Sequence, residues 1–375
     1  MSLFNVYPLF DITPVKAKDV YVYDKDNVEY LDLYGGHAVI SIGHSHPKYV
    51  EAITNQVSKL GFYSNSIQNP LQTELSERLE ELSGCKDYQL FLCNSGAEAN
   101  ENALKLASFH NRKRKVLAFK NSFHGRTSAA VAATDNAKIV APLNAQQVVD
   151  FVELGNLEAV EFILKQNETC AVIIEIIQGI GGLDESTTEF YQGLEKLCRL
   201  YNTLLISDEI QCGFGRTGDF FAFQKHGITP DIISMAKGMG NGFPIGGILI
   251  HPNIKASFGL LGTTFGGNHL ACAASLTVLD TLKNENLLDN AKEVSAYFLE
   301  KAKDFPKIKQ VKGRGLMLGL EFDFPIAELR KTLITKHKIF TGSAKNPNLL
   351  RILPSLTVQK KHIDVFFEAL KQELS

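Results

Sequence analysis

Six short apolar runs cross the middle of the chain, at residues 88–93, 115–119, 170–177, 203–207, 231–235 and 247–250, separated by longer stretches with helical spacing. Runs of about four to eight residues bounded by turn signals read as strands, and apolar character on successive positions suits strands covered on both faces. Between them, residues 97–111 carry Ala103, Leu104, Ala107 and Phe109 on or near one helical face, and residues 189–201 carry Tyr191, Leu194, Leu197 and Leu200. Buried strands joined by helices predict an α/β fold built on a large, mostly parallel sheet. At 375 residues the chain exceeds the roughly 250–300 at which a single core tends to divide, so a second lobe is expected.

Both ends contribute to that lobe. Residues 20–23 and 29–32 read as a hairpin, 275–303 and 360–374 as amphipathic helices, and 313–322 as a glycine-led strand. The expected organisation is an N-terminal part of a small domain at 1–45, a large domain at 46–262 and a C-terminal part of the small domain at 263–375. Net charge is −2, from 39 basic and 41 acidic residues, which gives no bias towards nucleic acid or an anionic membrane. The six cysteines, at 85, 93, 170, 198, 212 and 272, form no C-x-x-C pair. Small buried thiols are expected, not a disulfide framework or a zinc site. No apolar run approaches the roughly 18 residues of a membrane span. The first residues do not read as a cleaved signal, and a cytoplasmic location follows as the default.

In open α/β sheets, ligands gather beyond the carboxyl ends of the strands. After 88–93 comes Asn94-Ser95-Gly96-Ala97-Glu98-Ala99-Asn100, a small-residue turn that opens a helix. Backbone N–H groups at such a start suit a phosphate, although the same turn also serves as an ordinary helix cap. After 203–207 comes Asp208, followed by a loop containing Gly213, Gly215 and Gly218. An acid at the end of a buried strand is costly unless a cation meets it or it caps its own loop. After 231–235 comes Ala236-Lys237-Gly238-Met239-Gly240-Asn241-Gly242. A lysine there is either desolvated, with the lowered pKa that imine formation needs, or extended to solvent. Together, a phosphate cradle, a buried acid and a buried lysine behind three strands match the needs of pyridoxal 5'-phosphate. The acid keeps the pyridine nitrogen protonated; the lysine forms the resting imine and carries the proton. No G-x-x-x-x-G-K-[ST] and no strand-linked G-x-G-x-x-G competes.

With these motifs in order, the chain resembles the class III pyridoxal-phosphate aminotransferases, and among them the acetylornithine/ornithine group. The match covers nearly the full length. It runs through Tyr30-Leu31-Asp32-Leu33, Gly43-His44-Ser45-His46-Pro47, Ser122-Phe123-His124-Gly125-Arg126-Thr127, Thr263-Thr264-Phe265-Gly266-Gly267-Asn268 and Arg314-Gly315-Leu316-Met317-Leu318-Gly319. The resemblance implies the type I fold of pyridoxal-phosphate transferases, with a small α+β domain from both termini, and a homodimer. It implies Lys237 as the Schiff-base lysine, Asp208 as partner of the pyridine nitrogen and Gln211 as donor to the ring's phenolic oxygen. Phe123 stacks on the ring, and Ser95, Gly96 and Ala97 meet the phosphate. Thr264 reaches the phosphate of the neighbouring subunit, with Thr263 beside the substrate. Arg126 and Arg351 grip substrate carboxylates. His44 and His46 fall in a structural turn, and no metal is expected.

The implied reaction moves the terminal amino group of an N-acylated ornithine, N-acetylornithine first, to 2-oxoglutarate in arginine biosynthesis, by ping-pong chemistry. Alternatives are N-succinylornithine, ornithine or another ω-amine as donor, an aminomutase, or a pyridoxal-phosphate-binding protein without catalysis. One departure bears on this. Relatives read Glu-Pro-x-Gln-Gly-Glu-Gly-Gly where this chain has Glu175-Ile176-Ile177-Gln178-Gly179-Ile180-Gly181-Gly182. Ile180 replaces a carboxylate that in ornithine-type relatives masks the arginine matched by Arg351. A donor with a second carboxylate is one expectation that follows. Asn268-His269 and Gly36-His37 also differ from the relatives' pattern.

Overall fold

A seven-stranded sheet forms the centre of the computed structural model, which describes residues 1–374. From one edge to the other its strands are Gln89–Cys93, Gly246–Ile250, Ile232–Met235, Leu204–Asp208, Thr169–Ile174, Lys115–Phe119 and Val149–Val152. All run parallel except Gly246–Ile250, which is antiparallel to both neighbours. Every residue of Thr169–Ile174, Leu204–Asp208, Ile232–Met235 and Gly246–Ile250 is buried, which explains their unalternating apolar character.

The sheet corrects the sequence reading in three places. The edge strand Val149–Val152 escaped it, because Asp150 interrupts the run and only Val152 is buried. The run expected at 170–177 leaves the sheet after Ile174, so Glu175 lies just beyond the strand's carboxyl end. The strand expected at 203–207 extends one residue further and carries Asp208 at its tip.

The helices Gly96–Asn111 and Thr188–Leu200 form as expected and bury Ala103, Leu104, Ala107, Tyr191 and Leu194. Phe109 and Leu200 do not join them. Phe109 lies two residues beyond Ala107, on the other side of the helix, and Leu200 is half a turn out of phase with Tyr191.

The two ends of the chain share one sheet. Pro14–Lys18, Tyr21–Asp24 and Glu29–Asp32 pair antiparallel, and Ile339–Phe340 adds in parallel to Glu29–Asp32. The strand expected at 313–322 is instead a hairpin, Gln310–Arg314 with Met317–Glu321. It turns at Gly315, whose φ of +59° and contact with the Thr217 backbone leave no room for a side chain. The helix expected at 275–303 is two, His269–Asn284 and Leu287–Ala302, broken at left-handed Asn286. Lys360–Leu374 is helical as expected.

All six cysteines are buried and unbridged. Among the described residues no cluster is arranged to hold a metal ion, and no helix is long and apolar enough to cross a membrane. His44 and His46 instead meet Asp32 at 2.9 Å and Glu285 at 3.0 Å.

Candidate active site

Beyond the carboxyl ends of the central strands lies a cavity of about 370 Å³. Ser95, Gly96, Ala97, Phe123, Arg126, Asp208, Gln211 and Lys237 all line it, so the fold brings together eight residues singled out from the sequence. Glu175, Ile180, His124 and Ile210 also line it.

At one end the helix Gly96–Asn111 begins. Ser95 is its N-cap, with Oγ accepting from Glu98 N at 3.2 Å. A Cβ at position 96 would lie 2.8 Å from the Ile210 side chain, so only glycine leaves the first N–H groups uncovered there.

Asp208 lies at the floor. Its Oδ2 accepts from Asn100 Nδ2 at 2.7 Å and faces His124 Nδ1 at 2.7 Å, while Oδ1 accepts from Ile210 N at 3.1 Å. A carboxylate can only accept, so His124 carries its proton on Nδ1. Its Nε2 is buried without a hydrogen-bond partner.

Lys237 follows the fully buried strand Ile232–Met235 with a φ of +47°, strained for a side-chain-bearing residue. The turn is pinned from the N-terminal segment. Ser41 Oγ donates to Gly238 O at 2.7 Å, Asn241 Oδ1 accepts from the N–H groups of Ser41 and Ile42, and Tyr49 OH donates to Gly240 O at 2.7 Å. Burial pushes the Lys237 amine below its ordinary pKa, against the opposing pull of Asp208 and Glu175.

Glu175 joins two walls. Its carboxylate accepts from Phe123 N at 2.9 Å and Gly179 N at 2.8 Å, which ties the backbone of these two cavity segments together. Burial pushes this carboxyl up, with His124 pulling the other way. Gln211 Nε2 donates to His37 O at 3.3 Å, while Gln211 Oε1 is buried without a hydrogen-bond partner.

Three expected residues stand outside the cavity. Thr263 borders it, with Oγ1 accepting from the cavity residue Asn94 at 3.4 Å. Thr264 is exposed and away from the cavity of its own chain. Arg351 is buried: Nε donates to Ser343 O at 2.6 Å and Nη1 to Gly179 O at 2.9 Å. No carboxylate among the described residues pairs with it, and Ile180, next in the chain after its partner Gly179, lines the cavity. Arg126 is exposed at the rim.

His124, Asn100 and Asn241 had no assigned role in the sequence reading. All three stand in the segments quoted above, which is the signal that could have drawn them in.

This site fits pyridoxal phosphate. It offers a bare helix N-terminus for an anion, a floor carboxylate already oriented by three partners, a desolvated amine, and polar atoms buried without a mate. A sheet of this kind carrying such a constellation defines a pyridoxal-phosphate enzyme. Residues 5–374 match the family Aminotransferase class-III, and the chain belongs to it as a pyridoxal-phosphate-dependent transaminase. It is similar to the acetylornithine aminotransferase of Aquifex aeolicus, 41% identical with 99% of each chain covered. It is also similar to that of Bacillus subtilis, 39% identical over 100% of this chain and 98% of the other. Among solved structures it resembles the ornithine aminotransferase of Toxoplasma gondii, with a TM-score of 0.90 and 28% identity over 98% and 90% of the two chains. The N-acetylornithine aminotransferase of Stenotrophomonas maltophilia gives a TM-score of 0.81 and 30% identity over 98% and 96%.

Proposed function

We propose that the protein transfers the terminal amino group of an N-acylated ornithine, with N-acetylornithine as reference donor, to 2-oxoglutarate in arginine biosynthesis. Products are the N-acylated semialdehyde and glutamate: the donor carbon is oxidised to an aldehyde as the keto carbon is reduced to an amine. The observation that carries this reading is the convergence of Lys237, Asp208, Phe123 and Arg126 on one cavity in a chain alike, end to end, to acetylornithine aminotransferases.

Bound pyridoxal phosphate supplies an aldehyde that carries the amino group and a protonated ring that stores an electron pair. The chain's own residues do the rest. Ser95, Gly96 and Ala97 would hold the phosphate, and Phe123 would cover the ring and exclude water from it. Asp208, oriented by His124 and Asn100, keeps a proton at the ring nitrogen. Gln211 would serve the ring's phenolic oxygen as hydrogen-bond donor. The Lys237 amine, neutral more readily because it is dry, would remove the proton from the donor's amine-bearing carbon and, in the second half-reaction, deliver one to the former keto carbon of the acceptor. Arg126 at the rim orients a carboxylate with its planar fork, and Arg351 receives the second carboxylate of the keto acid after exchanging its carbonyl partners.

A homodimer completes the site. Thr264 is exposed beside Phe265 and Phe62, whose rings lie 5.3 Å apart and are both partly in solvent. An apolar surface of this kind beside a phosphate-ligating threonine suits a neighbouring subunit whose cavity Thr264 enters. Six buried, unbridged cysteines suit a reducing, cytoplasmic setting.

The test is glutamate formation from N-acetylornithine and 2-oxoglutarate, coupled to borohydride reduction and mass spectrometry of the holoenzyme. A pyridoxyl adduct on Lys237 and a loss of about 1000-fold or more in Lys237→Ala are expected. Absence of turnover with every N-acylornithine and ω-amine would rule the reading out.

A further inference from the structure

Ile180 lines the cavity from a loop that turns back on itself, with Gln178 N donating to Asp184 O at 3.0 Å and Leu183 N to Gln178 O at 2.8 Å. Two neighbours hold the tip of this loop. On one side Lys345 N donates to Ile180 O at 2.8 Å. On the other, Gly181 packs against Asn121 so closely that a Cβ would overlap the Asn121 carbonyl oxygen. Asp135 joins the two holders. Its Oδ2 accepts from Asn121 N at 2.7 Å and from Lys345 Nζ at 3.2 Å, and its backbone oxygen faces the same Nζ at 3.4 Å. Ile180, Lys345, Asp135, Asn121 and Gly181 therefore form a closed ring, each in contact with the next.

That ring links separate parts of the fold. Asn121 follows the central strand Lys115–Phe119, and Ile180 comes after the central strand Thr169–Ile174. Lys345 lies between Gly342–Ser343 and Leu349–Ile352, which belong to a different sheet. Glycines at 179, 181 and 182 give the loop few side chains with which to fix itself, so its place depends on what holds it. Burial pushes the Asp135 carboxyl up, but the Asn121 N–H and then Lys345 bring it below its ordinary pKa, so it is charged at neutral pH. The Lys345 side chain is half in solvent, and an ion pair this open contributes little to global stability. Its consequence is local: it closes the ring at the one link made by two side chains.

We propose that Lys345 is a positioning residue for substrate: paired with Asp135, it holds Ile180 at the cavity wall and so sets how tightly the amino donor fits. Which donor this is rests on the N-acylornithine reading above.

The experiment compares holoenzyme of wild type, Lys345→Met, Lys345→Arg, Asp135→Asn and the double variant Lys345→Met/Asp135→Asn. Asp135→Asn keeps an acceptor for Asn121 N and removes only the charge that faces Lys345. Hydrogen exchange of the amides in residues 177–183, read by mass spectrometry, should be about fivefold faster in Lys345→Met and in Asp135→Asn, as for loss of one exposed ion pair. KM for N-acetylornithine should rise about fivefold in the same two variants, with kcat and the urea midpoint close to wild type. Lys345→Arg should recover most of both effects, and the double variant should be no worse than either single one. Loop exchange and KM within about twofold of wild type in Lys345→Met overturn the proposal, as does a double variant whose effects are the product of the single ones. If wild type turns over no N-acylornithine, the donor reading fails, while the exchange of residues 177–183 still supports or overturns the clamp.

Discussion

Asp208 Oδ2 lies 2.7 Å from His124 Nδ1, with both side chains withdrawn from solvent. Asn100 donates to the same oxygen, and Ile210 N to the other. His124 is therefore placed as a positioning residue: it fixes the carboxylate that, under the proposed function, meets the cofactor's ring nitrogen. Replacing it with leucine leaves Oδ2 one partner short, which costs about 1–3 kcal/mol for a buried charged acceptor. His124→Leu is expected to lose that much stability in urea unfolding. It should also lower kcat about tenfold or more, since a misplaced acid stabilises the ring's proton less well. His124→Asn, which keeps a donor, should recover part of both. Equal kcat in wild type and His124→Leu would show that the pair is structural only.

Why some of this site was legible in the sequence, and some not, follows from where each residue lies. Asp208 ends a strand, and Lys237 and Gly96 follow within three residues of one, and the end of such a strand is where ligands meet an α/β sheet. Local order in the chain was enough. Asn100 lies inside a helix that was correctly expected, but only the packing of that helix on the sheet turns its amide towards Asp208. The Ser41–Asn241 link joins residues 200 apart, and no periodicity reports it. The antiparallel run of Gly246–Ile250 was hidden for a similar reason. A strand covered on both faces has the same composition in either direction. Gly315 was read as part of a strand because glycine's left-handed turn leaves no trace in hydrophobicity.

Arg351 makes its contacts with backbone carbonyls where a carboxylate at position 180 would otherwise compete. Ile180→Glu places an acid between the cavity and that guanidinium, beside Gly179 O. Pairing of the two should raise KM for 2-oxoglutarate about tenfold, as expected for occlusion of one charge-assisted contact. KM for N-acetylornithine should change little, because that donor carries no carboxylate next to its reacting amine. Steady-state kinetics with each substrate varied in turn provide the check. An unchanged KM for the keto acid would remove Arg351 from its recognition.

The buried amine of Lys237 gives a pH dependence whose sign is fixed. Its native pKa is below the ordinary lysine value of 10.5, with burial as the main cause. Between the two values the unfolded chain binds more protons than the folded one, so this group's contribution to stability rises with pH across that window. Below it, the full penalty of a buried charge is present. In cofactor-free protein, Lys237→Met should therefore be more stable than wild type at neutral pH. The difference should shrink as pH climbs towards 10.5. Chemical unfolding at a series of pH values measures it. A difference that grows with pH would reverse the assignment.

Thr264 is exposed and lies off the cavity of its own chain, which makes its role a question about the second subunit. If it contacts the phosphate held by Gly96 and Ala97 of a partner, each site draws Lys237 from one chain and Thr264 from the other. Thr264→Val should weaken cofactor binding about tenfold, as for loss of a hydrogen bond to a charged group. Lys237→Ala should be inactive by itself. Dissociated and reassembled together, the two variants form mixed dimers in which one site combines an intact Lys237 with an intact Thr264. Random assortment restores about a quarter of the sites to wild-type composition in a twofold-symmetric dimer. At cofactor concentrations limiting for Thr264→Val, activity of the mixture should exceed the sum of the separately assayed parents. A strictly additive mixture would mean that Thr264 serves its own chain or none.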